Sequence, residues 1–129
     1  MTRRMRILLL EDEASILFAM QRYFVALGRS VKTATTLAEG VEMIQSYTFD
    51  AVVADLRLGA GAKEDGLDFL AEVRHRQPSA RTILLTAYGS PAVEERSALL
   101  GVDACLSKTQ PLAEIDRVVG RLVKGWGQM

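Results

Sequence analysis

Four short stretches of this chain deliver polar, reactive side chains directly behind apolar runs. Ile7, Leu8, Leu9 and Leu10 meet Glu11, Asp12 and Glu13; Ala51, Val52, Val53 and Ala54 meet Asp55; Ile83, Leu84 and Leu85 meet Thr86; Ala104, Cys105, Leu106 and Ser107 meet Lys108. Singly, each has an ordinary reading. Asp12 or Glu13 caps a helix, Asp55 forms a turn or faces solvent, Thr86 is a strand residue or cap, and Lys108 is a surface cation lying along its own apolar stem. As a set they have a shared chemistry. The carboxylates of Glu11, Asp12 and Asp55 crowded in one crevice would raise one another's pKa unless a cation neutralised them, and all-oxygen ligands suit Mg2+. With its charge so shielded, Asp55 is a nucleophile toward phosphorus, forming an acyl phosphate. Lys108 and the Thr86 hydroxyl would then bind the phosphoryl oxygens as charge spreads over them.

These residues meet only if their strands run parallel in one sheet, and the periodicity supplies that sheet. Each apolar run is short and continuous, as in strands buried on both faces, and Ser30 to Ala34 reads as a fifth, weaker strand. Between them the period becomes helical. Ile16, Leu17, Met20, Phe24 and Leu27 share a face from Ser15 until Gly28 stops the helix; Thr36 and Glu39 have capping-box spacing ahead of Leu37, Val41 and Ile44. Leu67, Leu70 and Val73 continue to about Arg76, with Pro78 beyond; Ser90–Pro91 starts a helix that Gly101 stops; Pro111 opens the last, carrying Leu112, Ile115, Val118, Val119 and Leu122. Five strands alternating with five helices, on connections too long for hairpins, imply right-handed crossovers and an α/β parallel sheet covered on both faces. Ligands of such sheets collect at the carboxyl ends of the strands, where all the named residues fall.

Composition narrows the function classes. The 129 residues fit one domain, with 49% hydrophobic and 25% charged residues, and Lys+Arg and Asp+Glu both number 16. A balanced charge gives no reason to expect nonspecific binding to nucleic acid or to anionic membrane. Cys105 alone cannot form an internal disulfide, and with a single histidine, His75, there is no Cys/His metal cluster. His75 reads as a solvated residue near a helix C-terminus. The apolar run behind Arg3, Arg4 and Arg6 is too short for a signal peptide or membrane span, so a cytoplasmic location is expected.

The order and spacing of these motifs, Leu-Leu-Leu-Glu-Asp-Glu, Val-Val-Ala-Asp-Leu-Arg-Leu, Leu-Leu-Thr-Ala-Tyr-Gly and Leu-Ser-Lys, resemble the receiver domains of bacterial two-component response regulators, the stand-alone chemotaxis-type form included. The resemblance covers nearly the whole chain. It implies a flavodoxin-like (βα)5 fold of strand order 2-1-3-4-5, here a single domain over residues 1–129 with a core from about 6 to 123 and a loose tail at 124–129. It further implies that Asp55 accepts a phosphoryl group from a sensor histidine kinase or histidine phosphotransfer protein. Mg2+ would be held by Asp12, Asp55 and the Arg57 backbone carbonyl, with Glu11 reaching the ion through a water. The Ala87 backbone N–H would join Thr86 and Lys108 on the phosphoryl group. The output would be a shifted two-state equilibrium read by an effector domain or protein on the face of the fourth helix, fifth strand and fifth helix, from a monomer or weak phosphorylation-dependent dimer that does not itself bind nucleic acid.

Three places depart from the family pattern. Cys105 stands three residues before the lysine, where receivers carry a switch aromatic, and a side chain so small cannot swing the same volume. Thr109 stands where a proline usually follows the lysine, which removes the usual reason for a cis bond there. The loop 59–66 holds about three more residues than receivers usually have, a length that surface loops tolerate. Cys105 itself reads as a buried packing residue, against a redox sensor. Arg57 and Tyr88 occupy the two positions that in this family govern the approach of water to the acyl phosphate. Two rivals stay open. One is a binding module that keeps the fold but signals without phosphate; the other is an aspartate-nucleophile phosphatase, which would need a second aspartate where Arg57 stands.

Overall fold

The computed structural model describes residues 3–58, 64–87 and 89–123. The expected alternation is present throughout. The strands are β1 (Arg6–Leu10), β2 (Ser30–Ala34), β3 (Ala51–Asp55), β4 (Arg81–Thr86) and β5 (Ala104–Ser107). The helices are α1 (Ala14–Ala26), α2 (Leu37–Ser46), α3 (Asp65–Arg76), α4 (Pro91–Leu99) and α5 (Leu112–Leu122). All neighbouring strands pair parallel, in the order β2-β1-β3-β4-β5. Strand order reverses between β1 and β3, so the crevice of a doubly wound sheet opens at their carboxyl ends.

Alternating side chains divide the interior in two. Leu8, Leu10, Val52, Ala54 and Leu84 face one core, closed by Ile44 of α2, by Leu67, Phe69, Leu70 and Val73 of α3, and by Val93 of α4. Ile7, Leu9, Ala51, Val53, Ile83 and Leu85 face the other, closed by Leu17, Met20 and Phe24 of α1 and by Ile115 and Val119 of α5. Every residue of β3 is buried, because it is the central strand with helices above and below. The outer strands are less covered, and β2 and β5 are mostly half-buried or exposed.

Local chemistry sets the helix ends. Thr36 Oγ1 accepts the Glu39 N–H at 3.1 Å, while Glu39 Oε1 accepts the Thr35 N–H at 2.7 Å, a capping box displaced by one residue on its return side. Ser90 Oγ accepts the Val93 N–H at 3.2 Å, with Pro91 in the first turn. Gly28 and Gly101 follow α1 and α4 with φ of 88° and 81°. The third helix begins at Asp65, earlier than its apolar period shows, because its first turn is acidic. The tail 124–129 and the first part of the long loop, 59–63, lie outside the described residues.

Candidate functional site

Hydrogen bonds that run past the strand ends fix the residues that follow each strand. The Glu11 N–H donates to the Ala34 carbonyl at 3.1 Å, the Leu56 N–H to Leu85 at 2.9 Å and the Lys108 N–H to Thr86 at 2.8 Å. Glu11 is therefore carried into the interior with no exposed surface, Asp55 keeps 7% and Thr86 2%, while Asp12 is exposed. One oxygen from each of Glu11, Asp12 and Asp55 lies within 4.8 Å of the others. The three acids read from the sequence thus form one cluster, open to solvent on the Asp12 side.

Lys108 reaches into this cluster. Its Nζ lies 2.8 Å from Glu11 Oε1 and 3.2 Å from Asp55 Oδ2. Glu11 Oε2 accepts the Glu13 N–H at 3.1 Å. Burial pushes the Glu11 carboxyl up to about 7, reinforced by the Asp55 charge and opposed by Lys108 and the Glu13 N–H. For Lys108, burial works against the charge, but the Glu11 and Asp55 carboxylates override it and hold the ammonium above its ordinary range. Lys108 is therefore charged at neutral pH. A cleft of about 360 Å³, lined by Ser15, Ile16, Met20, Pro111 and Leu112 among others, opens beside Lys108 between α1 and α5.

This donor set fits a hard divalent cation. The ligand atoms are carboxylate oxygens, one acid is solvent-facing so that an ion there can retain waters, and Glu11 Oε1 is buried without an aligned hydrogen bond despite its ionic contact. The arrangement brings carboxylates, the Lys108 ammonium and the hydroxyl-bearing Thr86 to one sheet edge.

The remaining sequence candidates are distributed around this centre. The Arg57 side chain is half exposed and turns toward Glu64, at 4.0 Å. Ala87 is exposed directly behind Thr86, and Tyr88 lies outside the described residues. Cys105 is half-buried rather than buried, packed against the core that α2, α3 and α4 cover. Burial, aided by the Glu94 carboxylate and opposed by Ser97, pushes its thiol up. No cis peptide occurs among the described residues.

The long loop, singled out in the sequence for its length, supplies two contacts that the sequence did not show. Glu64 lies at the end of the long loop and also binds the Arg96 guanidinium of α4. Gly66 packs directly on the Asp55 backbone. Both relationships join residues that only the folded chain brings together, so no local spacing could reveal them.

Comparison with known proteins agrees with this geometry. The family model for the response regulator receiver domain matches residues 7–119. The acid tolerance regulatory protein ActR of Sinorhizobium medicae (strain WSM419) is 31% identical over 122 residues, covering 95% of this chain and 60% of the relative, so the chain spans about three fifths of that protein's length. The fold is shared with a CheY-like receiver domain protein from Methanospirillum hungatei JF-1, with a TM-score of 0.85, 23% identity and coverage of 98% and 100%. It is shared also with the Thermotoga maritima response regulator TrrA, solved in complex with Mg2+-BeF, with a TM-score of 0.78, 27% identity and coverage of 92% and 98%. By its matched family model and by the strand-end cluster that its five parallel strands assemble, the chain belongs to the response regulator receiver domain family.

Proposed function

We propose that this chain is a phosphoacceptor switch in a two-component phosphorelay and not a turnover enzyme. The observation that carries the reading is the placement of the Lys108 ammonium between the Glu11 and Asp55 carboxylates at the edge of the sheet. An Asp55 carboxylate oxygen attacks the phosphorus of a phosphohistidine on a sensor kinase or phosphotransfer protein. A P–O bond forms as the P–N bond breaks, and the imidazole departs with the electron pair. Lys108, already oriented on Asp55, follows the developing charge onto a phosphoryl oxygen, while the Thr86 hydroxyl and the Ala87 N–H donate to others. Asp12, Asp55 and the Arg57 carbonyl would hold Mg2+, with Glu11 behind through a water, and the ion would supply positive charge that lets two anions approach.

The acyl phosphate carries about two negative charges where the carboxylate carried one, and this net gain biases a two-state equilibrium, read by an effector domain or protein on the α4–β5–α5 face. Half-buried Cys105 cannot supply a rotating aromatic there, so the response passes through other groups. Arg57 and Tyr88, large side chains two positions beyond the aspartate and the threonine, slow the approach of water. The receiver occupies the chain as one domain and works in the cytoplasm; no described helix is long and apolar enough to cross a membrane.

Incubation with acetyl phosphate and Mg2+, read by intact mass, tests this. Wild type should gain one phosphoryl group and Asp55→Asn none. No gain on wild type, from acetyl phosphate or from a phosphohistidine donor, would favour a phosphate-independent binding module. Turnover of a phosphomonoester would instead indicate a phosphatase, a reading that Arg57 in place of a second aspartate disfavours.

A further inference from the structure

Two guanidinium groups, Arg57 just after β3 and Arg96 of α4, converge on one carboxylate beside the proposed phosphorylation site. Glu64 ends the long loop and starts α3, its carbonyl accepting the Leu67 N–H at 3.1 Å, so its backbone is fixed. Its side chain is 18% exposed; Arg96 of α4 hydrogen-bonds to Oε1, while Arg57 stands farther off, 4.0 Å from Oε2. We propose that Glu64 is a positioning residue for the Asp55 reaction: it holds the Arg57 guanidinium toward α4 in the resting protein and yields it to the phosphoryl group. This rests on the reading of Asp55 as phosphoacceptor.

The charges support an exchange rather than a static pair. One carboxylate is shared by two guanidiniums, so one of them can leave before phosphoryl contact without unpairing the acid. Phosphorylation raises the negative charge at Asp55, two residues from Arg57, from one to about two and moves it outward onto phosphoryl oxygens. When Arg57 leaves, Glu64 still has Arg96, so no carboxylate is stranded in a half-buried position. Both guanidiniums are half exposed, and the more loosely held one is the one that moves, since its transfer breaks the weaker contact. On the phosphoryl group, Arg57 covers a face of the phosphorus against water and prolongs the acyl phosphate. Glu64, by competing for the same cation, shortens it.

The full chain is phosphorylated with acetyl phosphate and Mg2+, the donor is removed, and decay of the acyl phosphate is followed by intact mass. Glu64→Gln should lengthen the lifetime about two- to fivefold, the effect of releasing a half-exposed ion pair, with Glu64→Asp between it and wild type. Arg96→Ala, which leaves Arg57 without a rival for Glu64 among the described residues, should shorten the lifetime, whereas general loosening of the loop would move both variants in one direction. In an Arg57→Ala background, Glu64→Gln should have no effect. An unchanged or shortened lifetime in Glu64→Gln, or the same change in both backgrounds, overturns the proposal. A wild type that takes no phosphoryl group fails earlier, and overturns the phosphoacceptor reading with it.

Discussion

Gly66 lies so close beneath Asp55 that a Cβ on it would stand 1.7 Å from the Asp55 carbonyl oxygen. The Gly66 N–H also donates to the Leu56 carbonyl at 2.9 Å, so the first turn of α3 is laid against the backbone that carries the site. The clash is with main chain, which no rotamer change relieves. Gly66→Ala should therefore cost about 3 kcal/mol in urea unfolding, toward the upper range of overpacking effects. It should also lower the rate of phosphoryl uptake, because Asp55 must shift. A stability within about 0.5 kcal/mol of wild type would show that the helix start is free to retreat.

The elevated Glu11 carboxyl should make Mg2+ binding at the proposed site depend on pH near neutrality. Its pKa is about 7 in the folded chain, against an ordinary 4.5. If only the ionised carboxyl supports the ion, Mg2+ affinity measured calorimetrically should fall about tenfold between pH 8 and pH 6, since one proton must be displaced below the pKa. Glu11→Gln should bind more weakly and flatten that dependence. In chelator the sign for stability is opposite. An acid whose folded pKa is raised contributes stability that is present below pH 4.5 and is lost as pH rises toward 7, because the unfolded chain releases its proton first. Chemical unfolding across that window should show wild type losing stability relative to Glu11→Gln.

Gln77 provides a contrast far from the site. Its Nε2 donates to the Ile44 and Tyr47 carbonyls at 2.9 and 2.8 Å, and its Oε1 accepts the Phe49 N–H at 3.0 Å. One side chain at the end of α3 thereby satisfies the turn between α2 and β3. Gln77→Ala should cost about 2 kcal/mol, since it strands partly buried backbone groups. Phosphoryl uptake at moderate temperature should be unchanged, because the turn lies at the opposite end of the strands. Parallel losses of stability and uptake would show that the two ends are coupled.

Cys105 should behave as a packing residue. Half-burial and the raised thiol pKa leave little thiolate at neutral pH. An aromatic disulfide reagent should modify the native thiol about tenfold or more slowly than the urea-unfolded chain. Native reactivity equal to that of the unfolded chain would reopen a redox role.

Strand and helix periods, and the polar residue behind each apolar run, were enough to place Glu11, Asp12, Asp55, Thr86 and Lys108 on one edge. Parallel strands flanked by helices have few alternative ways to bury runs such as Ala51–Val52–Val53–Ala54 on both faces. Other features depend on distance in space rather than along the chain. Nothing near Glu64 announces Arg96, 32 residues later. Gln77 looks like an ordinary helix-end polar residue until the turn containing Phe49 folds over it. The depth of Glu11 was also hidden. Adjacent acids alternate in direction at a strand end, so one enters the core while Asp12 faces water, and only the register shows which.

The burial of β3 on both faces bears on how the molecule opens. Amide protons of Val52, Val53 and Ala54 lie between two neighbouring strands and two cores, and nothing short of separating those cores exposes them to deuterium. Their exchange should report the free energy of global unfolding. Asp55 is the last residue of that same strand, so the acid has no separate local stability to lose: a substitution that weakens either core spends the same reserve that keeps Asp55 in place.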